Sequence, residues 1–275
     1  MREIVYKIED DIDPKTVTAT TYQMRNPFRQ FADGVAGELD THCYFQHAAA
    51  ADLCPVGGRV LDVCCGRGLL IPFIRYRAKP SLYCGVDIEP KNARWKDGAD
   101  PRREKEQKTD WGFDRVFVES NVGNMAEPVR NAIGPEPFDL VVYTSAIEHM
   151  QIDDQKTSLM QAAELSRDGA YLYLSFPVTE PGRDGYDTQY AAHVYEPKET
   201  EIRDWLKSAG WIVKRRIGLC TKTGVFKKKL NGANLRGAEY INGIQPRAQA
   251  LCTIAALYPD AATELAYICQ KKVKS

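Results

Sequence analysis

No stretch of about 18 consecutive apolar residues occurs in the 275-residue chain, so a membrane-spanning helix is not expected. Net charge is lacking too. The 37 Lys and Arg balance the 37 Asp and Glu, which removes any global pull toward nucleic acid or an anionic membrane. Cys-x-x-Cys pairs are absent among the eight cysteines, and zinc binding needs paired ligands at short spacing, so no metal is expected. Most of the cysteines fall in apolar runs, where a thiol behaves as a small hydrophobe. The first ten residues are too charged for a signal peptide, and the expected localisation is cytoplasmic. Internal repeats and low-complexity tracts are missing as well. What remains, with 44% hydrophobic and 27% charged residues, is the composition of an ordinary soluble globule.

The most informative segment runs from Arg59 to Leu70. Val60, Leu61 and Val63 read as a buried strand, which ends at Gly66-Arg67-Gly68 before an apolar run able to open a helix. Glycines at such a bend let a ligand approach the backbone, because no Cβ stands in the way. Nineteen residues past Gly68, the apolar run Leu82 to Val86 ends in Asp87, which suits an acid at the next strand tip that hydrogen-bonds ribose hydroxyls. A nucleoside-containing cofactor is implied.

A dinucleotide fingerprint would place a third glycine where Ile71 stands. Instead the strand carries an acid, Asp62, followed by Cys64 and Cys65. Asp62-x-x-x-Gly66-x-Gly68 resembles the first motif of class I S-adenosylmethionine-dependent methyltransferases, with Cys64 in place of the family's first glycine. Phe138 to Met150, with Glu148-His149 after the apolar residues, resembles the family's fourth strand and following loop. Ser166 to Pro177 looks like the fifth strand, Ile202 to Ile217 like the last helix and sixth strand, and Glu264 to Lys272 like the final strand. The resemblance covers residues 59–217 plus the last strand. The first fifty residues and 218–263 match no named motif.

Alternating strands and helices then give an α/β fold: a seven-stranded, mostly parallel, doubly wound sheet, Rossmann-like. Strands are expected near 59–64, 82–87, 114–119, 138–144, 170–176, 211–217 and 265–271. Helices are expected near 28–53 (broken), 68–77, 123–132, 153–167, 198–209 and 246–258. Pro72 falls in the first turn of the second, where proline is tolerated. Residues 90–112 are charge-dense and read as an insertion. Residues 1–55 form a helical arm, 56–217 and 264–275 the cofactor-binding core, and 218–263 a lid between the last two strands.

The resemblance implies S-adenosylmethionine as cofactor. Asp62 would orient the glycine loop Cys64, Cys65, Gly66 and Gly68 or its ligand, while Asp87 and Ile88 hold the ribose side. Asn121, where the family often has aspartate, and Val122 would flank the adenine, the amide oxygen serving the adenine amino group. Thr144 and Ser145 would lie along the methionine portion. In the arm, Tyr22, Phe28, Phe31, His42, Tyr44, Phe45 and His47 read as packing residues under a cap, or as a cover closing over the cofactor with a tyrosine near the methionine carboxylate. A sulfonium is already a good leaving group, so methyl transfer needs mostly positioning in a dry cavity. Where the acceptor must lose a proton, His149, His193 and Tyr195 are the candidate bases. The alternative for each histidine is a structural role.

From Lys214 to Arg236 the chain carries eight basic residues and no acid. This is a solvated strand edge and loop, or an anion-binding surface for a phosphorylated small substrate or for nucleic acid. Only Phe226 interleaves it, which weakens single-strand stacking. Three functions follow. The first is methylation of an O or N atom of a small molecule. The second is a nucleic-acid methyltransferase, since Cys64 to Gly68 and Gly85 to Ile88 also loosely resemble RNA cap guanine methyltransferases, although Tyr143 to Ala146 lacks the Asn-Pro-Pro-Tyr-type signature of amino-methylating DNA enzymes. The third is a non-catalytic binding protein or redox enzyme on the same fold. Oligomeric state is left open.

Overall fold

Near-continuous apolar runs become strands buried on both faces, as parallel sheets require. A computed structural model describes residues 3–6, 38–66, 68–88, 112–179, 182–188, 191–220 and 244–273. In chain order the main elements are β1 (Glu3–Tyr6), α1 (Glu38–Ala51), β2 (Arg59–Val63), α2 (Ile71–Arg77), β3 (Leu82–Asp87), β4 (Asp114–Glu119), α3 (Ala126–Ile133) and β5 (Phe138–Tyr143). They continue with α4 (Ile152–Leu165), β6 (Ser166–Pro177), α5 (Glu199–Ser208), β7 (Trp211–Cys220), α6 (Ile244–Leu257) and β8 (Glu264–Lys271). One sheet contains them in the order β1-β4-β3-β2-β5-β6-β8-β7. Neighbours from β1 to β6 are parallel, and β8 runs antiparallel to both β6 and β7.

Successive residues along the central strands serve opposite faces. Leu61, Val63, Val86 and Val141 join Val129, Leu159, Ile202 and Leu206 of α3, α4 and α5 in one core. Val60, Tyr83, Phe117, Leu140 and Val142 join Ala50, Ile71, Phe73 and Ile74 of α1 and α2 in the other. Strand order reverses at β2, which has β3 on one side and β5 on the other. In open α/β sheets the crevice outside the carboxyl ends at such a reversal is where ligands bind.

All seven expected strands form, and β1 adds an eighth. Residues 3–6 therefore correct the reading of the whole arm as helical: the β-prone run Glu3-Ile-Val-Tyr6 pairs in parallel with the otherwise open edge of β4. Of the broken helix expected over 28–53, α1 is the described part, and residues 28–37 lie outside the described residues. The helix expected over 153–167 stops at Leu165, because Ser166 already pairs with Phe138. The ladder shifts register there, with Gly169 at φ +77, before resuming at Leu140–Tyr171. The helix expected from residue 68 begins at Ile71, the three residues before it being needed for the turn. Residues 89–111, almost the whole expected insertion, and 221–243, half of the expected lid, lie outside the described residues. The rest of that lid is the end of β7, the turn Pro259–Ala261 with its flanking residues, and α6, a helix that packs against both β7 and α1.

Candidate functional site

The bend after β2 is held in left-handed backbone at three positions, Cys64 (φ +57), Gly66 (φ +52) and Gly68 (φ +69). Its amides are tied down in sequence. Cys65 N–H donates to the Val86 carbonyl at 3.1 Å, Gly66 N–H to Asp87 Oδ2 at 2.9 Å, and Gly68 N–H to the Cys65 carbonyl at 2.8 Å. The loop also leans on β3 at Gly85, where a Cβ would stand 2.6 Å from Cys65 Sγ. Cys64 thus occupies the conformation a glycine takes without strain, at a cost of about 1–2 kcal/mol. Replacing it with β-branched valine, Cys64→Val, is expected to lower stability by a further ~1–2 kcal/mol, whereas Cys64→Gly stays within about 1 kcal/mol of the parent in urea unfolding. Burial raises the Cys64 thiol, and the carboxylates of Asp87, Asp62 and Glu148 add to it, so it stays protonated.

Asp62 is buried in the sheet, and its Oδ2 accepts from the Tyr83 hydroxyl at 2.7 Å. Burial pushes its carboxyl up to about 7; the Tyr83 hydrogen bond opposes this and the Asp87 charge adds to it. The ordinary value is 3.8, so the stabilisation that accompanies the protonated form is complete below about pH 4 and is lost as pH rises through about 7. Between about pH 5 and about pH 8 this group is expected to cost on the order of 2–3 kcal/mol of stability, and Asp62→Asn to abolish that component. Urea midpoints at the two pH values measure it; equal slopes in both proteins would overturn the assignment.

Asp87 and Ile88 stand half-buried at the tip of β3, beside the loop. At the tip of β4, Asn121 Oδ1 accepts from Gly123 N–H at 2.8 Å and so caps a short 3-10 turn, Val122–Asn124. That hydrogen bond takes one of the two lone pairs expected to serve an adenine. Gln161 of α4 fixes the same turn, its amide donating to the Gly123 carbonyl while its Oε1 accepts from Ala126 N–H at 2.7 Å. Val122 is buried against the core.

At the end of β5, Thr144 and Ser145 meet α1, and Ser145 is again left-handed (φ +47). Ser145 N–H donates to Ser175 Oγ at 2.8 Å, Ser145 Oγ donates to Glu264 Oε1 at 3.0 Å, and Ser175 Oγ donates to Gln46 Oε1 at 2.9 Å. His42 Nε2 lies 3.1 Å from the same Glu264 Oε1. Burial alone would lower His42, but the Glu264 charge and hydrogen bond outweigh it and raise it. His47 is the reverse case. Burial lowers it to about 4. Its Nδ1 donates to the Cys43 carbonyl at 2.6 Å, which leaves Nε2 as acceptor toward Thr144 Oγ1 at 3.5 Å, and its ring stacks on Phe73. Helix α1 is thereby clasped across the carboxyl ends of β5, β6 and the start of β8. Tyr44 packs edge-on against Phe73 at 5.2 Å, and the earlier aromatics, Tyr22, Phe28 and Phe31, lie outside the described residues.

Beyond β5, Glu148 is buried, and His149 and His193 meet edge to face with ring centres 5.0 Å apart. His149 Nδ1 faces the Ala192 carbonyl at 3.0 Å, and His193 Nδ1 faces Glu196 Oε1 at 2.6 Å. Burial lowers His149, with the His193 ring adding to the effect and the Ala192 carbonyl opposing it. Tyr195 points elsewhere: its hydroxyl donates to Glu201 of α5 at 2.9 Å, and burial followed by that carboxylate raises it to about 12. The structure thus brings His149 and His193 together and leaves Tyr195 anchoring α5. Gln46, Ser175 and Glu264 had no motif to reveal them. Each is an ordinary polar residue whose meaning comes from being buried at a strand end or beneath the helix that covers it. In the basic stretch, Arg216 is consumed by Glu199 and Asp260, at 2.8 Å each, while Lys214 and Arg215 are exposed and 221–236 fall outside the described residues.

A doubly wound sheet with a glycine-bearing bend and acids at the adjoining strand tips defines a Rossmann-like nucleoside-binding protein. The family described as "Methyltransferase domain" matches residues 42–214, and the chain belongs to it, among the class I S-adenosylmethionine-dependent methyltransferases, whose cofactor is S-adenosylmethionine. Among solved structures, the cyclopropane synthase MmaA2 from Mycobacterium tuberculosis is 14% identical with a TM-score of 0.56, over 95% of this chain and 100% of that one. The Burkholderia thailandensis 1,6-didemethyltoxoflavin-N1-methyltransferase, with bound 1,6-didemethyltoxoflavin and S-adenosylhomocysteine, is 16% identical with a TM-score of 0.53, over 97% of this chain and 94% of that one. A S-adenosylmethionine-dependent methyltransferase from Archaeoglobus fulgidus is 15% identical with a TM-score of 0.53, over 89% and 98%. At these identities the likeness is one of fold. Comparison with curated protein sequences finds no match. Among the described residues no helix is long and apolar enough to cross a membrane.

Proposed function

We propose that the protein transfers a methyl group from S-adenosylmethionine to an oxygen or nitrogen atom of a small molecule or metabolite, phosphorylated ones included. The observation that carries this reading is the roof over the strand ends. Gln46 of α1 is hydrogen-bonded to Ser175, which in turn holds Ser145, so α1 is fastened over the strand ends, an arrangement that favours a small acceptor over a polymer. Loss of Arg216 to two carboxylates weakens the nucleic-acid alternative further. The Burkholderia methyltransferase of similar fold holds 1,6-didemethyltoxoflavin, a small molecule, which accords with this reading.

The residues present fit the cofactor: left-handed Gly66 and Gly68 leave the backbone open, and Asp87 stands beside them. Bound S-adenosylmethionine supplies an electrophilic methyl group on a sulfonium. Around it, Asp62 braces the loop formed by Cys64, Cys65, Gly66 and Gly68, while Asp87 accepts from the ribose hydroxyls with Ile88 alongside. Asn121 and Val122 border the adenine, and Thr144 and Ser145 line the methionine end. His149 and His193 stand on the acceptor side, each Nδ1 held by its own hydrogen-bond acceptor. Helices α1 and α6, the described parts of the expected arm and lid, would cover the acceptor side of the core, in a cytoplasmic setting that suits eight cysteines with no disulfide.

The test is calorimetric titration of the full chain with S-adenosylhomocysteine, followed by labelled methyl transfer to separate metabolite and nucleic-acid pools. Label in the metabolite pool is expected. Label confined to RNA or DNA would overturn the substrate class. Tight binding with no transfer to either pool would favour a non-catalytic binding protein.

A further inference from the structure

The turn Ile147–His149 and the segment 192–196 are stitched together by their backbones. Val194 and Tyr195 N–H groups both donate to the Glu148 carbonyl, at 2.8 and 3.2 Å. This brings three side chains from positions 148, 149 and 193 to one point. Glu148, His149 and His193 each offer a ligand atom, and these atoms lie within 4.8 Å of one another. Two further observations mark the cluster. Glu148 is 2% exposed, and its Oε2 is fully buried with no hydrogen-bond partner among the described residues, an arrangement that costs stability unless something fills it. Each imidazole also has its Nδ1 against an acceptor, a backbone carbonyl for His149 and a carboxylate for His193. Those acceptors fix Nδ1 as the N–H and Nε2 as the lone-pair nitrogen, which is how metal-binding histidines are oriented.

We propose that Glu148, His149 and His193 form a divalent-cation site whose open positions take an oxygen of the methyl acceptor. Two imidazoles and one carboxylate are a catalytic rather than a structural ligand set, because three protein ligands leave room for substrate or water. Bonds of roughly 2.0–2.2 Å put ligand atoms about 3–4 Å apart, so closure asks only modest side-chain movement. The site follows the carboxyl end of β5, the strand paired with β2, whose own end carries the glycine loop. The acceptor role rests on the methyl-transfer reading; the cation site does not. A hydroxyl bound there loses its proton to solvent water more readily. Its oxygen lone pair then forms the new C–O bond, while the C–S bond breaks with its electron pair staying on sulfur. Cysteine spacing gave no sign of such a site, because its ligands come from segments 44 residues apart and include no cysteine.

The full chain, freed of metal with a chelator, is titrated with Zn²⁺ by calorimetry and with Co²⁺ by visible absorption. One cation per chain is expected, with Glu148→Gln and His193→Gln each weakening it at least ~100-fold. No binding by the parent protein, or binding unchanged in both variants, would overturn the site. Should Glu148→Gln fail to fold by circular dichroism, the less buried His193→Gln decides. S-adenosylhomocysteine affinity is measured on the same cation-free sample, so intact cofactor binding without cation binding sinks the cation site and spares the methyltransferase reading. Labelled methyl transfer to the metabolite pool is expected to fall at least ~100-fold without the cation. Unchanged transfer would overturn the acceptor role.

Discussion

Asp87→Ala is expected to weaken S-adenosylhomocysteine binding by about 100- to 1,000-fold while leaving the chain folded. Hydrogen bonds to a charged group contribute roughly 1.5–3 kcal/mol each, and two ribose hydroxyls are at stake. A second loss compounds the first. Asp87 Oδ2 also accepts from Gly66 N–H, so removing the carboxylate frees the loop that must lie against the nucleoside. Asp87→Asn, which keeps one acceptor oxygen, is expected to fall between the two. Calorimetry gives the affinities and near-ultraviolet circular dichroism the fold. Unaltered affinity in the alanine variant would remove Asp87 from the cofactor site, and with it the main support for where the nucleoside lies.

Gly218→Ala is expected to destabilise the protein by about 2–3 kcal/mol, lowering the melting temperature by several degrees, even though it adds a single methyl group. A Cβ at that position would stand 2.1 Å from the Ala255 carbonyl oxygen and 2.7 Å from its carbonyl carbon. Both are backbone atoms, so α6 must move off β7 rather than turn a side chain aside. Shaving Ala255 to glycine therefore does not relieve the clash. Because α6 also packs against α1, the displacement reaches the roof over the strand ends, and methyl transfer is expected to drop more than cofactor binding. A melting temperature within a degree of the parent would show that α6 yields easily, and the rigid roof would have to be given up.

The central strands were legible because their chemistry is local. Val60, Leu61 and Val63, or Leu140 to Val142, have no residence but a sheet buried on both faces. The bend at Gly66 and Gly68 was legible for the same reason, since few residues but glycine enter left-handed backbone cheaply. Cys64 shows the limit of that rule: its neighbours impose φ +57 on a residue that would not choose it. Residues 3–6 escaped notice because four residues carry little pattern, and pairing with β4 decided their fate. The polar clasp of His42, Gln46, Ser145, Ser175 and Glu264 escaped because its members span more than 200 positions, and each alone is an ordinary polar residue.

By itself, then, the order of residues determined the alternation of strands and helices, the tight bend with its acid at the next strand tip, and the family. Only the folded chain decided that α1 covers the strand ends, that Tyr195 anchors a helix while His149 and His193 face one another, and that Glu148 is buried beside them. Backbone preference and apolar periodicity act over a few neighbours and so are written in the sequence. Contacts between side chains distant along the chain exist only once the sheet has set their spacing.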